Sequence, residues 1–195
     1  MKEESPIQMI TDLLNTMQDK DSDHPGMRET PRRFYEALSF WTQGYDQCPA
    51  DVLKFFDDGV EAYDEVVFQG NLPIYSLCEH HLAPFFGVAH IAYIPNKRVI
   101  GLSKIARIAD IFACRFQMQE RLTMNIADAM EEGLKPLAVG VVLRCRHMCL
   151  ESRGVQKTGT ITYTSALRGA FKAEASAREE FLRFVALADA RTTSL

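Results

Sequence analysis

Apolar positions recur at helical spacing near the N-terminus and change to alternation further along. Ile7, Ile10, Leu13, Leu14 and Met17 lie three or four apart behind Ser5-Pro6, which predicts a first helix. Residues 20–29 are mostly polar and contain Pro25-Gly26, the signature of a loop. Thr30-Pro31 opens a second expected helix, with Phe34, Leu38 and Trp41 on one face and Gly44 as its stop. Residues 49–59 predict a short third helix.

From Val66 onward the period becomes two. Residues 66–69 and 74–77 predict two short strands around Gly70-Asn71. Phe86, Val88, His90, Ala92 and Ile94 then alternate with Gly87, Ala89, Ile91 and Tyr93. A turn at residues 95–97 and an extended stretch at 98–100 follow. Ser103 is the expected cap of a helix presenting Ile105, Ile108, Ala109 and Phe112. Another helix is expected from about residue 117 to 132, with Leu122, Ile126, Ala129 and Met130 inward and Gly133 ending it. Residues 137–146 predict an apolar strand and residues 158–165 a half-buried one. Ser176 begins a last helix carrying Phe181, Leu182, Val185 and Leu187. Strand pairs flanking two helices predict an α+β domain with both helices on one face of an antiparallel sheet. That domain is expected over residues 63–195, behind an N-terminal helical region over 1–62.

Bulk properties narrow the partners. A length of 195 residues suits one domain with a helical extension, and 47% hydrophobic content suffices for a core. A net charge of −4 argues against nucleic acid and still permits a local basic pocket. Five cysteines form an odd set without regular spacing, and Met-Lys-Glu-Glu-Ser-Pro is no signal peptide. Reduced thiols and a cytoplasmic location are therefore expected. No apolar run has the length of a membrane span, so no membrane partner is expected.

Candidate chemistry concentrates in two places. Cys78, Glu79, His80 and His81 are consecutive, and Cys78 and His81 stand one tight turn apart. Thiolate and imidazole suit zinc. His147-Met148-Cys149 offers a third ligand, and three ligands with an open position make a catalytic pattern. His80 and His147 are then left for proton transfer. The competing reading is a set of buried packing thiols. Lys104 and Arg107, near a helix start, suit a phosphate group, with Arg153 and Lys157 as further candidates. A solvated basic helix face is the other reading of these side chains. Glu120 could hold a guanine-like edge through two hydrogen bonds, or it is a first-turn helix acid.

Cys-Glu-His-His-Leu-x-Pro-Phe-x-Gly at 78–87 resembles the signature of the GTP cyclohydrolase I family. So do Ile-Gly-Leu-Ser-Lys-x-x-Arg at 100–107, Arg-x-Gln-x-Gln-Glu-Arg-Leu-Thr at 115–123 and His-Met-Cys-x-x-x-Arg-Gly-Val at 147–155. The resemblance covers residues 25–187. It implies a tunnelling fold and a zinc-dependent hydrolase that converts GTP and water to formate and 7,8-dihydroneopterin triphosphate, the first step toward tetrahydrofolate and other pterins. It implies zinc on Cys78, His81 and Cys149. Glu120, with Gln119 and the backbone at Leu102, would bind guanine. Ser103, Lys104, Arg107 and Arg153 would hold ribose and triphosphate, while His147 and His80 would be catalytic. It also implies a homodecamer of two stacked pentameric rings, with sites between subunits, and allosteric control is compatible with it. Leu150 and Phe116 depart from the family's usual residues without touching its chemistry. Two other readings are a different tunnelling-fold enzyme, an epimerase or nitrile reductase, and a non-enzymatic zinc-stabilised assembly protein. The metal set counts against the first, and the two spare histidines against the second.

Overall fold

The computed structural model describes residues 5–17, 25–56 and 62–192. The chain divides into two compact units, one ending at Gln43 and the other beginning at Gly44. The helical region expected over 1–62 runs past that division. In the first unit, α1 (Pro6–Met17) packs on α2 (Thr30–Thr42). Ser5 Oγ accepts from the Gln8 backbone N–H at 3.3 Å, as its place before Pro6 leads one to expect. Pro31 sits in the first turn of α2, where its missing donor costs nothing.

The second unit opens with α3 (Pro49–Val52) and β1 (Phe55–Phe56). The helix expected over 49–59 is thus a single turn followed by a strand, and residues 57–59 lie outside the described residues. Next come β2 (Val67–Cys78), β3 (Pro84–Ile94), β4 (Val99–Ile100) and α4 (Leu102–Ala113). They are followed by β5 (Phe116–Gln117), α5 (Gln119–Leu134), β6 (Ala138–His147), α6 (Met148–Glu151) and β7 (Thr162–Gly169). The chain closes with α7 (Ala170–Ala173) and α8 (Ala175–Thr192). The main sheet has the order β5-β2-β3-β6-β7, antiparallel except for the short parallel β2–β5 pair. Two main strands, two helices and two more strands make the α+β domain expected from the periodicity and match the tunnelling fold that the family resemblance implies.

Alternation along β3 and β6 sorts the two faces of this sheet. Phe85, Ala89, Ile91, Val139, Val141, Leu143 and Cys145 face α4 and α5, where Ile105, Ile108, Leu122, Ile126 and Met130 complete the main core. Each fully buried Ile or Leu there contributes about 1.5–3 kcal/mol. Ala92, Ala138 and Val142 face the other way and are covered by Phe171, Phe181 and Val185. On α8 only Phe181 and Val185 of the expected apolar set are buried, while Leu182 and Leu187 are exposed.

Three boundaries differ from expectation for physical reasons. The two strands expected around Gly70-Asn71 are one, because a bulge absorbs the irregularity between Gln69 and Leu72. Asn71 there has φ 55, and its side-chain amide donates to the Ala188 carbonyl at 3.1 Å. The N-cap of α4 is Gly101 instead of Ser103. Helix α5 runs through Gly133 to Leu134 and stops at Lys135, which takes the left-handed conformation.

Candidate active site

The β2–β3 hairpin carries the first cluster in its turn. Cys78 ends β2; its carbonyl accepts from the backbone N–H groups of His81 (3.3 Å) and Leu82 (2.8 Å), and its own N–H donates to Ala83 O at 2.9 Å. Leu82, at φ 52, bends the chain back toward Pro84. This tight turn brings Cys78 Sγ to 4.0 Å from His81 Nδ1 and 3.8 Å from His80 Nδ1. Gly87 on β3 is required nearby, because a Cβ there would lie 1.9 Å from the Arg144 carbonyl oxygen of β6.

The second cluster stands where β6 gives way to α6. Cys149 lies in that single helical turn, and the ligand atoms of Cys78, His81 and Cys149 all fall within 4.8 Å of one another. Two thiols and an imidazole at this separation are a donor set that a soft divalent cation can bridge. Burial first, and then the adjacent Cys78 sulfur, push the Cys149 thiol up. Cys145 has no such role: burial raises it to about 12, so it stays a protonated core thiol. Cys114 is partly buried and Cys48 is exposed.

His147 is held by two contacts. The Phe85 ring stacks on it at 4.9 Å and 8°. Its Nε2 lies 2.7 Å from Gln119 Oε1. The Gln119 amide nitrogen faces Leu143 O (3.2 Å), Thr162 O (3.0 Å) and Thr164 Oγ1 (3.0 Å). Two of these are carbonyls that can only accept, so the NH2 end must point at them. Oε1 is then an acceptor, and His147 Nε2 must carry a proton. Nδ1 is the nitrogen left for proton exchange. Thr123 Oγ1 donates to the Gln119 carbonyl at 2.7 Å and so accepts from Thr164 Oγ1 at 2.6 Å. Burial lowers the pKa of His147, and the charge of exposed Glu120 opposes that shift.

Two arginine–glutamate forks brace the ligand-bearing segments. Arg121 Nη2 donates to Glu79 Oε1 at 2.9 Å and Nη1 to Oε2 at 2.5 Å. This hydrogen bonding holds the Glu79 carboxyl below the usual carboxylate range. Arg146 Nε and Nη2 donate to Glu151 at 2.9 and 2.6 Å, and the Gly159 backbone N–H adds a bond at 3.2 Å. Glu151 is buried, and it ties the segment carrying Cys149 and exposed Arg153 to β6. Neither fork had a signal in the sequence, since one pair is 42 residues apart and the other joins the end of β6 to the turn that follows it.

The structure therefore brings Cys78, His80, His81, Gln119, Glu120, His147, Cys149 and Arg153 to one end of the sheet, on its α4/α5 face. Leu102, Ser103, Lys104 and Arg107 occupy the first turns of α4. Among the described residues, no hydrogen bond or ion pair joins them to the 78–81 or 147–153 segments. Lys157 is exposed in the loop after Arg153.

Fold and site together define an α+β protein with a three-residue group that could hold a metal ion and a positioned imidazole two residues before one of its members. The model of the GTP cyclohydrolase I family matches residues 7–186, and the chain belongs to that family. It is 54% identical over 163 residues to the GTP cyclohydrolase 1 of Janthinobacterium sp. (strain Marseille), covering 84% of this chain and 82% of that protein. It is 43% identical over 192 residues to the Chlorobium phaeovibrioides protein of that name, covering 92% of this chain and 85% of the relative. The Saccharomyces cerevisiae GTP cyclohydrolase 1 is 48% identical over 187 residues, covering 93% of this chain and 75% of the yeast protein. Among the described residues no helix is long and apolar enough to cross a membrane.

Proposed function

We propose that this protein converts GTP and water to formate and 7,8-dihydroneopterin triphosphate, with zinc on Cys78, His81 and Cys149. The observation that carries the reading is the convergence of this donor set with His147, whose tautomer Gln119 fixes. The sulfur and imidazole donors fit zinc, and three of them leave a coordination position for the reaction. Zinc bound there supplies Lewis acidity that activates water near neutral pH.

The chain's own residues do the rest. Glu120, exposed at the start of α5, accepts two hydrogen bonds from the guanine N1–H and 2-amino group, helped by the backbone at Leu102. Such a paired contact rejects purines lacking those donors. Gln119 acts through His147, since its buried carboxamide is already committed at both ends. With Nε2 held by Gln119, His147 delivers a proton to guanine N7 from Nδ1, which makes C8 electrophilic. Addition of water opens the ring to a formamide, and a second water releases formate. His80 serves the proton transfers after ring opening, first as the formamide is cleaved and then as the ribose isomerises and closes onto the amine.

Ser103, Lys104, Arg107 and Arg153 hold ribose and triphosphate. Because the α4 residues make no bond to the metal cluster of their own chain, we assign them to the site of a neighbouring copy. A ring of five subunits, stacked as a decamer, would supply that neighbour. Among the described residues strand β7 has one unpaired edge in the sheet order, and open edges call for a partner. The test is release of formate from GTP, with the product oxidised to its fluorescent pterin and the assembly sized by light scattering. Absence of formate from zinc-loaded protein would refute the activity. A fully active monomer would refute the shared site.

A further inference from the structure

The turn bearing the candidate metal donors is joined to β5 and the start of α5 by a backbone pairing and a side-chain fork. Cys78 pairs with Gln117 in the short parallel ladder between β2 and β5. The Glu79 backbone N–H donates to Gln117 O at 3.0 Å. The Glu79 carboxylate, pointing out of the turn, receives both prongs of the Arg121 guanidinium. Glu79 Oε1 also stands 3.8 Å from His80 Nε2, a contact longer than a hydrogen bond. Arg121 follows Glu120 directly and Gln119 by two positions, so the fork closes a short loop between two halves of the site.

Resting on the function proposed above, we propose that Glu79 and Arg121 are a positioning pair for the reaction. The pair fixes the spacing between the turn with Cys78, His80 and His81 and the helix start with Gln119 and Glu120. Neither residue touches the reacting atoms. Glu79 supplies no metal ligand, since the donors that converge are Cys78, His81 and Cys149. An isolated exposed ion pair has little worth, but a two-pronged arginine–carboxylate contact also fixes direction, and here direction matters. Both parts of the site act on one purine, so a shift of about 1 Å between them can cost roughly 100-fold in rate.

The experiment is a double-mutant cycle on zinc-loaded, full-length protein, with Glu79→Ala, Arg121→Ala and the double variant. Formate release gives kcat and KM for GTP, transfer of zinc to a chromogenic chelator gives a release rate, and thermal melting reports folding. Each single variant is expected to lose roughly 10- to 100-fold in kcat, with KM for GTP moved far less. Zinc release should be faster in both. The double variant should be no worse than the more damaged single, because either change already opens the fork. Arg121→Lys, which keeps the charge without the prongs, should fall between wild type and Arg121→Ala, and it serves if the alanine variant does not fold. Wild-type kcat and zinc release in Arg121→Ala would overturn the proposal. Losses that simply multiply in the double variant would overturn it as well. If wild-type protein released no formate, the proposed activity would fall, while coupling in zinc release would still decide the pair.

Discussion

The two faces of the main sheet each carry a histidine near a carboxylate, half-buried on one face and fully buried on the other, with opposite consequences. On the α4/α5 face, His147 has one nitrogen fixed by Gln119 and the other left for exchange, and Glu120 nearby is exposed. On the α8 face, His90 is fully buried. Its Nδ1 accepts from the Asn71 N–H at 3.4 Å, and its Nε2 lies 3.3 Å from Asp189 Oδ1. Arg144 approaches that same oxygen at 3.3 Å, and the Phe68 ring stacks on His90. The difference is access and uncommitted valence. The same side chain is a tool where one nitrogen is open, and a filler where both are faced by protein.

Predictions that would break or sharpen this contrast run from the largest effect downward. Cys149→Ser should lose stoichiometric zinc and with it formate release, read by metal analysis alongside the assay. Full zinc with full activity would remove Cys149 from the donor set.

His147→Ala should keep its zinc and lose about 10²- to 10⁴-fold in formate release, as expected for a positioned acid. His80→Ala should instead open the ring and accumulate the formamide. Near-normal pterin from His147→Ala would end its role in the mechanism.

On the opposite face, Phe181→Ala removes a fully buried ring packed on Phe171 and Gly140. It should cost about 3–5 kcal/mol in denaturant unfolding. The kcat per folded molecule should stay unchanged. A fall in kcat without loss of stability would contradict the division between the faces.

The smallest effect concerns pH. Burial lowers the pKa of His90 below 6.5, against the opposing pull of Asp189. The unfolded chain therefore takes up a proton more readily, and the stability associated with neutral His90 is present above about pH 6.5 and is lost as pH falls below it. His90→Gln should flatten that part of the stability–pH curve, measured by urea unfolding between pH 7 and 5, with activity at neutral pH retained. An unchanged slope would remove His90 as its source.

Legibility in the sequence followed distance along the chain. Cys78 and His81 could be paired because one turn separates them, and Cys149 could be added because few residue types bind a soft metal. Alternation in residues 86–94 revealed both faces of β3. The bulge at Gly70-Asn71 looked like a break, because the continuity of the strand comes from its pairing with β3 on both sides of the bulge. Gln119 was expected beside guanine, since nothing local shows that Leu143, Thr162 and Thr164 occupy its amide.

By itself the sequence determined the chemistry available: two thiols and an imidazole for a soft cation, spare imidazoles for protons, and the strand and helix periods that make an α+β domain. Those properties belong to residue types and to neighbours within a turn or two. Tertiary structure alone decided which nitrogen of His147 carries its proton, which histidine is sealed, and that Arg121 braces Glu79. Each depends on groups tens of residues apart, whose meeting is set by sheet register and helix packing, and hydrogen-bond direction follows only once those partners are in place.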